Sequence, residues 1–180
     1  SWFEINIFPD STFYNTNAFF VNENIGWISY ENHNLKKTTD GGNTWTNQTI
    51  NYNDVITYLK FFDENTGYIL SKGILYETTN GGLNWLEKGN IGAFDSSINS
   101  FDISQEGVLV GVGYYGTIDR TSDFGVNWLK LRNGQNNKFN YIQFVDKNTG
   151  YICGNDGILL KTTDGGNSWE EKFINSETNN

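Results

Sequence analysis

Few side chains in this sequence are equipped for covalent or metal chemistry. His33 is the only histidine and Cys153 the only cysteine, so neither a His-rich zinc or iron centre nor an intramolecular disulfide can be assembled from these residues. Cys153 falls in the apolar run Tyr-Ile-Cys-Gly and is expected to be a buried, inert thiol. Aspartate and glutamate number 21, and two facing carboxylates could cleave a glycosidic bond if burial raised the pKa of one. Most of these acids occupy turn positions, however, and no spacing singles out a pair. No residue is assigned a catalytic role, and no cofactor or metal is expected.

Charge narrows the partners further. Lysine and arginine total 12, the net charge is −9, and the only arginines are Arg120 and Arg132. A nucleic-acid binder needs a basic stripe to displace counterions from phosphates, and none is present. An anionic membrane is disfavoured on the same ground, and no apolar run is long enough to span a bilayer. Asp63-Glu64 together with Asp146 could recruit calcium through carboxylate oxygens, but turn chemistry already accounts for these residues.

The residues suited to non-covalent binding are aromatic and lie in turns. Tyr114 and Tyr115, flanked by glycines, lead this set, because exposed tyrosines enrich interfaces and stack on sugars. The alternative is that one packs on its surroundings while the other is merely exposed. Tyr52, Phe94, His33 and Asp156 sit in comparable variable segments and complete the candidate contact set.

The elements that position these segments form a repeat. Thr38-Thr39-Asp40-Gly41-Gly42-Asn43-Thr44-Trp45 recurs as Thr78-Thr79-Asn80-Gly81-Gly82-Leu83-Asn84-Trp85. It recurs again as Thr121-Ser122-Asp123-Phe124-Gly125-Val126-Asn127-Trp128 and as Thr162-Thr163-Asp164-Gly165-Gly166-Asn167-Ser168-Trp169. Successive tryptophans are spaced by 40, 43 and 41 residues, and Trp2 resembles a fifth copy of the strand after the box. Before each box come an apolar strand, a turn ending in glycine, a second strand and a short hairpin to a third. The turns are read as Asn24-Ile25-Gly26, Asn65-Thr66-Gly67, Gln105-Glu106-Gly107 and Asn148-Thr149-Gly150. Val108-Leu109-Val110 is taken to match Tyr151-Ile152-Cys153. A period near 40 holding four short strands is the spacing of propeller blades. The 16% aromatic content, 20 glycines and single proline agree with β structure.

The box explains itself mechanically. Asp40, Asp123 and Asp164 can accept N–H bonds from their own turn, and Asn80 can do so through its amide oxygen. Gly42, Gly82, Gly125 and Gly166 supply positive φ. Trp45, Trp85, Trp128 and Trp169 are expected to pack back over the turn, so the box reads as a structural clip.

These boxes resemble the Asp-box, or bacterial neuraminidase (BNR), repeat. The longer pattern Phe-Val-Asp-Lys-Asn-Thr-Gly-Tyr, followed by Asn-Asp-Gly-Ile-Leu-Leu-Lys-Thr-Thr-Asp-Gly-Gly-Asn-Ser-Trp, is most similar to the photosystem II assembly and stability factor-like propellers. The resemblance runs from Trp2 to about Ile174, and unit three departs from it at Phe124 and Val126. It implies an all-β propeller of four-stranded antiparallel blades and a bacterial, non-enzymatic scaffold. The expected setting is extracytoplasmic, with another protein of an envelope or surface assembly as partner. The box also occurs in sialidases, xyloglucanases and sortilin-type receptors. Sialidases hold their substrate carboxylate with three arginines, which this chain does not have. A carbohydrate-binding or glycoside-hydrolase-type propeller, with glycan as ligand, is the alternative; a spacer within a large surface protein is the second.

The domain reading is residues 1–174 as blades, with Trp-ending repeats at about 2–45, 46–85, 86–128 and 129–169, and 175–180 as a polar tail or linker start. The surplus Trp2 strand favours an arc of a larger propeller over a closed four-bladed ring. The lack of methionine points to a removed leader or a piece of a longer protein.

Overall fold

A computed structural model describes residues 17–30, 34–48, 55–90, 98–132 and 137–172. Among the described residues, sixteen strands form four separate antiparallel sheets, each meandering in chain order. Blade one contains β1 (Asn17–Phe20), β2 (Gly26–Tyr30), β3 (Asn34–Thr38) and β4 (Thr46–Gln48); blade two contains β5 (Ile56–Phe61), β6 (Gly67–Ser71), β7 (Ile74–Thr78) and β8 (Leu86–Asn90). Blade three contains β9 (Ile98–Ile103), β10 (Leu109–Gly113), β11 (Ile118–Thr121) and β12 (Leu129–Arg132); blade four contains β13 (Phe139–Phe144), β14 (Gly150–Gly154), β15 (Leu159–Thr162) and β16 (Glu170–Glu171). The architecture is that of a β-propeller. Apart from two single 3-10 turns there is no helix among the described residues, and none long and apolar enough to cross a membrane.

The chain divides into two compact units, Ser1–Gly89 and Asn90–Asn180. In the first, Trp27 and Leu35 of blade one meet Ile56, Leu59, Phe61, Ile69 and Tyr76 of blade two in one core. Trp27 stacks on Phe61 with ring centroids 3.5 Å apart and planes 4° from parallel. In the second, Val110, Val112 and Ile118 of blade three meet Phe139, Ile142, Phe144, Ile152 and Leu160 of blade four. Each core is therefore a sandwich of two sheet faces, built by the period-two alternation of short strands.

Register shows which positions correspond. Phe20 pairs with Gly26, Phe61 with Gly67 and Phe144 with Gly150, and each of these glycines faces the threonine that opens the box. In blade three the matching ladder runs Ile103, Leu109, Thr121. Leu109, not Gly107, is thus the counterpart of Gly26, Gly67 and Gly150, and the sequence alignment of this turn is corrected by two residues. Gly107 lies inside the turn at φ 81°, its N–H bonded to Ser104 O. The physical cause is volume. A Cβ at Gly67 would lie 2.5 Å from the Phe61 ring, so a phenylalanine demands glycine across the ladder, whereas Ile103 leaves room for leucine.

Cys153 is also corrected. It is exposed, because it follows core-facing Ile152 on β14 and so points to the other face of blade four, beside Tyr141, which is 55% exposed. An apolar run identifies a strand but not which of its two faces is covered.

Candidate functional site

Antiparallel order places the first-to-second turns and the box turns at one end of each blade, and the second-to-third hairpins at the other. At the box end, one threonine hydroxyl organises each turn. Thr38 Oγ1 accepts the N–H of Gly42 at 2.9 Å and donates to Asp40 Oδ1 at 2.8 Å. Thr78, Thr121 and Thr162 make the same pair of bonds with Gly82 and Asn80, Gly125 and Asp123, and Gly166 and Asp164. The acid or amide oxygen then accepts the N–H four residues ahead, at 2.9 Å in every turn. Gly42, Gly82, Gly125 and Gly166 stand at φ 92°, 95°, 89° and 81°, and Phe124 takes up the left-handed region at φ 56° just before Gly125.

The carboxylates are held ionised by this wrapping. Asp40 is lowered to about 2 by the Thr44 hydroxyl and N–H and by Thr38. Asp123 is lowered to about 2 by the Asn127 N–H, Thr121 and the Asn127 amide. At Asp164 burial pushes upward, but Ser168 and Thr162 outweigh it and hold the group at about 2. Such acids are spent on their own turns and make poor proton donors. Asp63 and Asp146 likewise each accept two N–H bonds from their own turns. Among the described residues no group of three or more His, Cys, Asp or Glu could hold a metal ion.

The box tryptophans are half-buried. Trp45 Nε1 donates to Gly42 O at 2.9 Å, while Trp85 and Trp169 sit edge-on to Phe61 and tilted against Phe144 without an acceptor for their buried N–H. The bonds between blades are ones that sequence spacing does not reveal. Trp27 Nε1 donates to Gly81 O at 3.0 Å across 54 residues, and Lys37 Nζ reaches Glu64 O at 3.2 Å. In the second unit Arg120 Nε donates to Gly165 O at 3.2 Å. Each of these reaches from one blade to the box end of the next.

The opposite end carries the candidate contact residues. Tyr114 and Tyr115 form a single 3-10 turn with Gly116, and Asn155, Asp156 and Gly157 form its counterpart in blade four. Tyr115 and Asp156 both lie in the left-handed region, at φ 59° and 57°, and both are exposed. Tyr115 is 68% and Tyr114 42% exposed. Residues 137 and 138 staple the two tips together: Gly116 N–H donates to Asn137 O at 2.7 Å and Asn155 N–H to Lys138 O at 2.9 Å. Lys138 Nζ lies 4.7 Å from the Tyr114 ring centroid, and Asn140 donates to Asn155 Oδ1 at 2.9 Å. Tyr114, Tyr115 and Asp156 are therefore gathered on one supported surface. Lys138 and Asn140 join them, a pairing visible only once the register of the connection is known. Tyr52, Phe94 and His33 lie outside the described residues.

The surface is aromatic and partly cationic, with its backbone fixed by hydrogen bonds. Among solved structures, "YCF48 bound to D1 peptide" is 19% identical, with 82% of this chain and 63% of that chain covered at a TM-score of 0.46. This chain thus spans less than two thirds of that protein. The GH74 enzyme of Niastella koreensis is 16% identical over 83% of this chain and 28% of its own, TM-score 0.58. The computationally designed Ika4 protein is 19% identical over 80% and 88%, TM-score 0.51. At such identities the likeness to the GH74 enzyme and to Ika4 shows the fold alone. No curated protein matches the chain. A family profile described as Photosynthesis system II assembly factor YCF48 matches residues 1–128 and 90–178. With its repeat, its blade register and a profile match spanning most of its length, the chain belongs to the photosynthesis system II assembly factor YCF48 family.

Proposed function

We propose that this chain is a non-catalytic, protein-binding propeller segment that engages its partner through the tip end of blades three and four. The observation that carries this reading is the stapling of two tips by residues 137 and 138, which presents Tyr114, Tyr115 and Lys138 side by side. Tyrosine offers large contact area at low entropic cost, and a rigid backbone beneath it reduces the ordering needed on binding. A protein partner fits the family's description as an assembly factor. The boxed acids, held ionised in their own turns, offer no general acid for hydrolysis. An extracytoplasmic setting, with an envelope or surface assembly as partner, is part of the same proposal.

The test compares wild type with a Tyr114→Ala/Tyr115→Ala double variant in quantitative pull-down from an envelope fraction of the source cell. Truncating two central tyrosines should weaken a specific partner by tenfold or more, since such anchors are worth about 2 kcal/mol or more. A partner retained equally by both proteins would refute the tip assignment. A glycan array read in parallel addresses the carbohydrate alternative, which the exposed tyrosines also suit; specific glycan binding without a protein partner would replace the proposal.

A further inference from the structure

Blade two closes its box with Asn80 where the other three use aspartate, and the residue that follows is Gly81. An asparagine followed by glycine carries an electrophile and a nucleophile side by side. The Gly81 nitrogen, with no side chain to hinder its approach, can attack Cγ of Asn80 and close a cyclic imide as ammonia leaves. Water then opens the ring at either carbonyl, leaving aspartate or isoaspartate at position 80. The reaction consumes only water. Asp40 and Asp164 also precede glycine, but their carboxylates stay ionised down to about pH 2 and resist such attack. In blade three the residue after the acid is Phe124, whose side chain crowds the approach.

Folded blade two prepares the electrophile and withholds the nucleophile. Asn80 Oδ1 accepts the Thr78 hydroxyl at 3.0 Å and the Asn84 N–H at 2.9 Å, and two donors on a carbonyl oxygen draw electrons from its carbon. Gly81, however, is buried and held from both sides. Its N–H donates to Asn65 O at 2.8 Å, and its carbonyl accepts the indole N–H of Trp27, from blade one, at 3.0 Å. The space around it is closed as well: a Cβ there would fall 2.5 Å from Lys37 Nζ and 2.7 Å from Glu64 O. Carrying the Gly81 nitrogen onto Cγ therefore requires release of the Asn65 bond and movement of a residue that blade one clamps through Trp27 and Lys37.

We infer that Asn80-Gly81 is a deamidation site gated by blade one: inert while Trp27 and Lys37 hold the box, and converted to aspartate or isoaspartate when that contact opens. Conversion then reads the population of the open form, because opening and reclosing are fast beside the chemistry. The aspartate product suits the turn. In blade three Asn127 Nδ2 donates to Asp123 Oδ2 at 2.8 Å, and Asn84 stands at the same place in blade two. Aspartate at position 80 offers Asn84 a second acceptor where the asparagine has its own amide donor. Isoaspartate instead adds a methylene to the main chain and lengthens the turn that Thr78 spans by its bonds to Asn80 and Gly82. The site stands or falls independently of the partner-binding proposal.

Peptide mass mapping of protein aged at mildly alkaline pH reads conversion at residue 80, and electron-transfer fragmentation separates the two products. Folded wild type should convert about a hundredfold or more slowly than the urea-unfolded chain. Trp27→Phe keeps a ring on Phe61 but removes the donor to Gly81 O. It should speed conversion in the folded protein about tenfold, the effect of one lost buried hydrogen bond. Lys37→Ala, which leaves the core intact, should act in the same direction. Arg120→Gln removes the corresponding bond to Gly165 O in the second unit and should leave Asn80 as slow as in wild type. Circular dichroism verifies that each variant is folded during ageing. Asn80→Asp, the ready-made product, should unfold at a higher urea concentration than wild type at neutral pH. Conversion as fast in the folded as in the unfolded chain overturns the proposal, as does an Asn80 that remains an amide in both loosened variants. So does equal acceleration by Arg120→Gln and Trp27→Phe, which would tie the reaction to global unfolding. An Asn80→Asp protein less stable than wild type would overturn the fit of the product to the turn.

Discussion

Adding one methyl group at Gly67 would test the volume rule that distinguishes blade three from the others. The new Cβ would fall 2.5 Å from Cδ1 of Phe61 and 2.7 Å from two more ring atoms. Carbon atoms settle at about 3.5–4.0 Å, so the ring would have to retreat by roughly 1 Å. It has nowhere to go: Phe61 is 2% exposed, stacked on Trp27 and edge-on to Trp85. Overpacking of this kind costs about 1–3 kcal/mol. The loss of glycine's freedom in the unfolded chain returns about 0.4–1 kcal/mol. A net destabilisation of about 1–2 kcal/mol is therefore expected for Gly67→Ala from these two effects. At Gly150 the equivalent contacts are 3.0 and 3.1 Å, and Gly150→Ala should cost less. Placing Phe61→Ile beside Gly67→Ala copies the Ile103 and Leu109 solution, and a double-mutant cycle should show the pair coupled by at least about 0.5 kcal/mol. Urea unfolding at equilibrium reads all five proteins: wild type, Gly67→Ala, Gly150→Ala, Phe61→Ile and the Phe61→Ile/Gly67→Ala pair. The reasoning fails if Gly150→Ala proves as costly as Gly67→Ala, or if the isoleucine brings no relief to the alanine.

Three further outcomes follow from the box turns and tips. Thr78→Val keeps the shape of a buried side chain but removes the acceptor for the Gly82 N–H; chemical denaturation should show a loss of about 1–3 kcal/mol, with Thr78→Ser far milder. Asp40, Asp123 and Asp164 are held at about 2, below the ordinary 3.8. A depressed folded pKa means that their contribution is complete above pH 4 and is lost as pH falls towards 2. Converting all three to asparagine should therefore flatten the urea midpoint between pH 4 and 2 relative to wild type, and an unchanged slope would show that these acids do not drive acid sensitivity. Replacing Lys138 with alanine should weaken partner binding several-fold without lowering the thermal midpoint, since Lys138 holds the second tip through its backbone carbonyl; a large stability loss instead would assign the side chain a structural role.

Much of this architecture is readable from residue order because the repeat is strict where the chain turns. The Asp/Asn-x-Gly spacing predicts the acid-wrapped turn and alternation within short runs predicts the strands, whereas the threonine hydroxyl at the centre of each turn emerges only in the structure. The third blade misleads because Gly107 resembles the glycine that opens β6 and β14. The informative feature is the pair across the ladder, Phe with Gly or Ile with Leu, which emerges only with register. Cys153 misleads because a strand has two faces and local apolarity does not say which one is covered. The reach of Trp27 to Gly81 spans 54 residues and depends on how blades pack, which no local pattern encodes. Of the contact set, Tyr114, Tyr115 and Asp156 follow from glycine-flanked hairpins, whereas Lys138 and Asn140 enter through the connection that binds both tips.

The turns that wrap Asp40, Asp123 and Asp164 also give blades one, three and four an electrical direction. Their charge persists to about pH 2 and is joined at that end by Glu23, Glu64 and Glu106. The tips of blades three and four contribute aromatic rings with a single cation, Lys138, and a single acid, Asp156, instead. Within blades three and four, an approaching acidic protein would be repelled more strongly at the box end than at the tips before any surfaces touch. Raising ionic strength should erase that bias, slowing the productive encounter while leaving the lifetime of the bound state largely as it was.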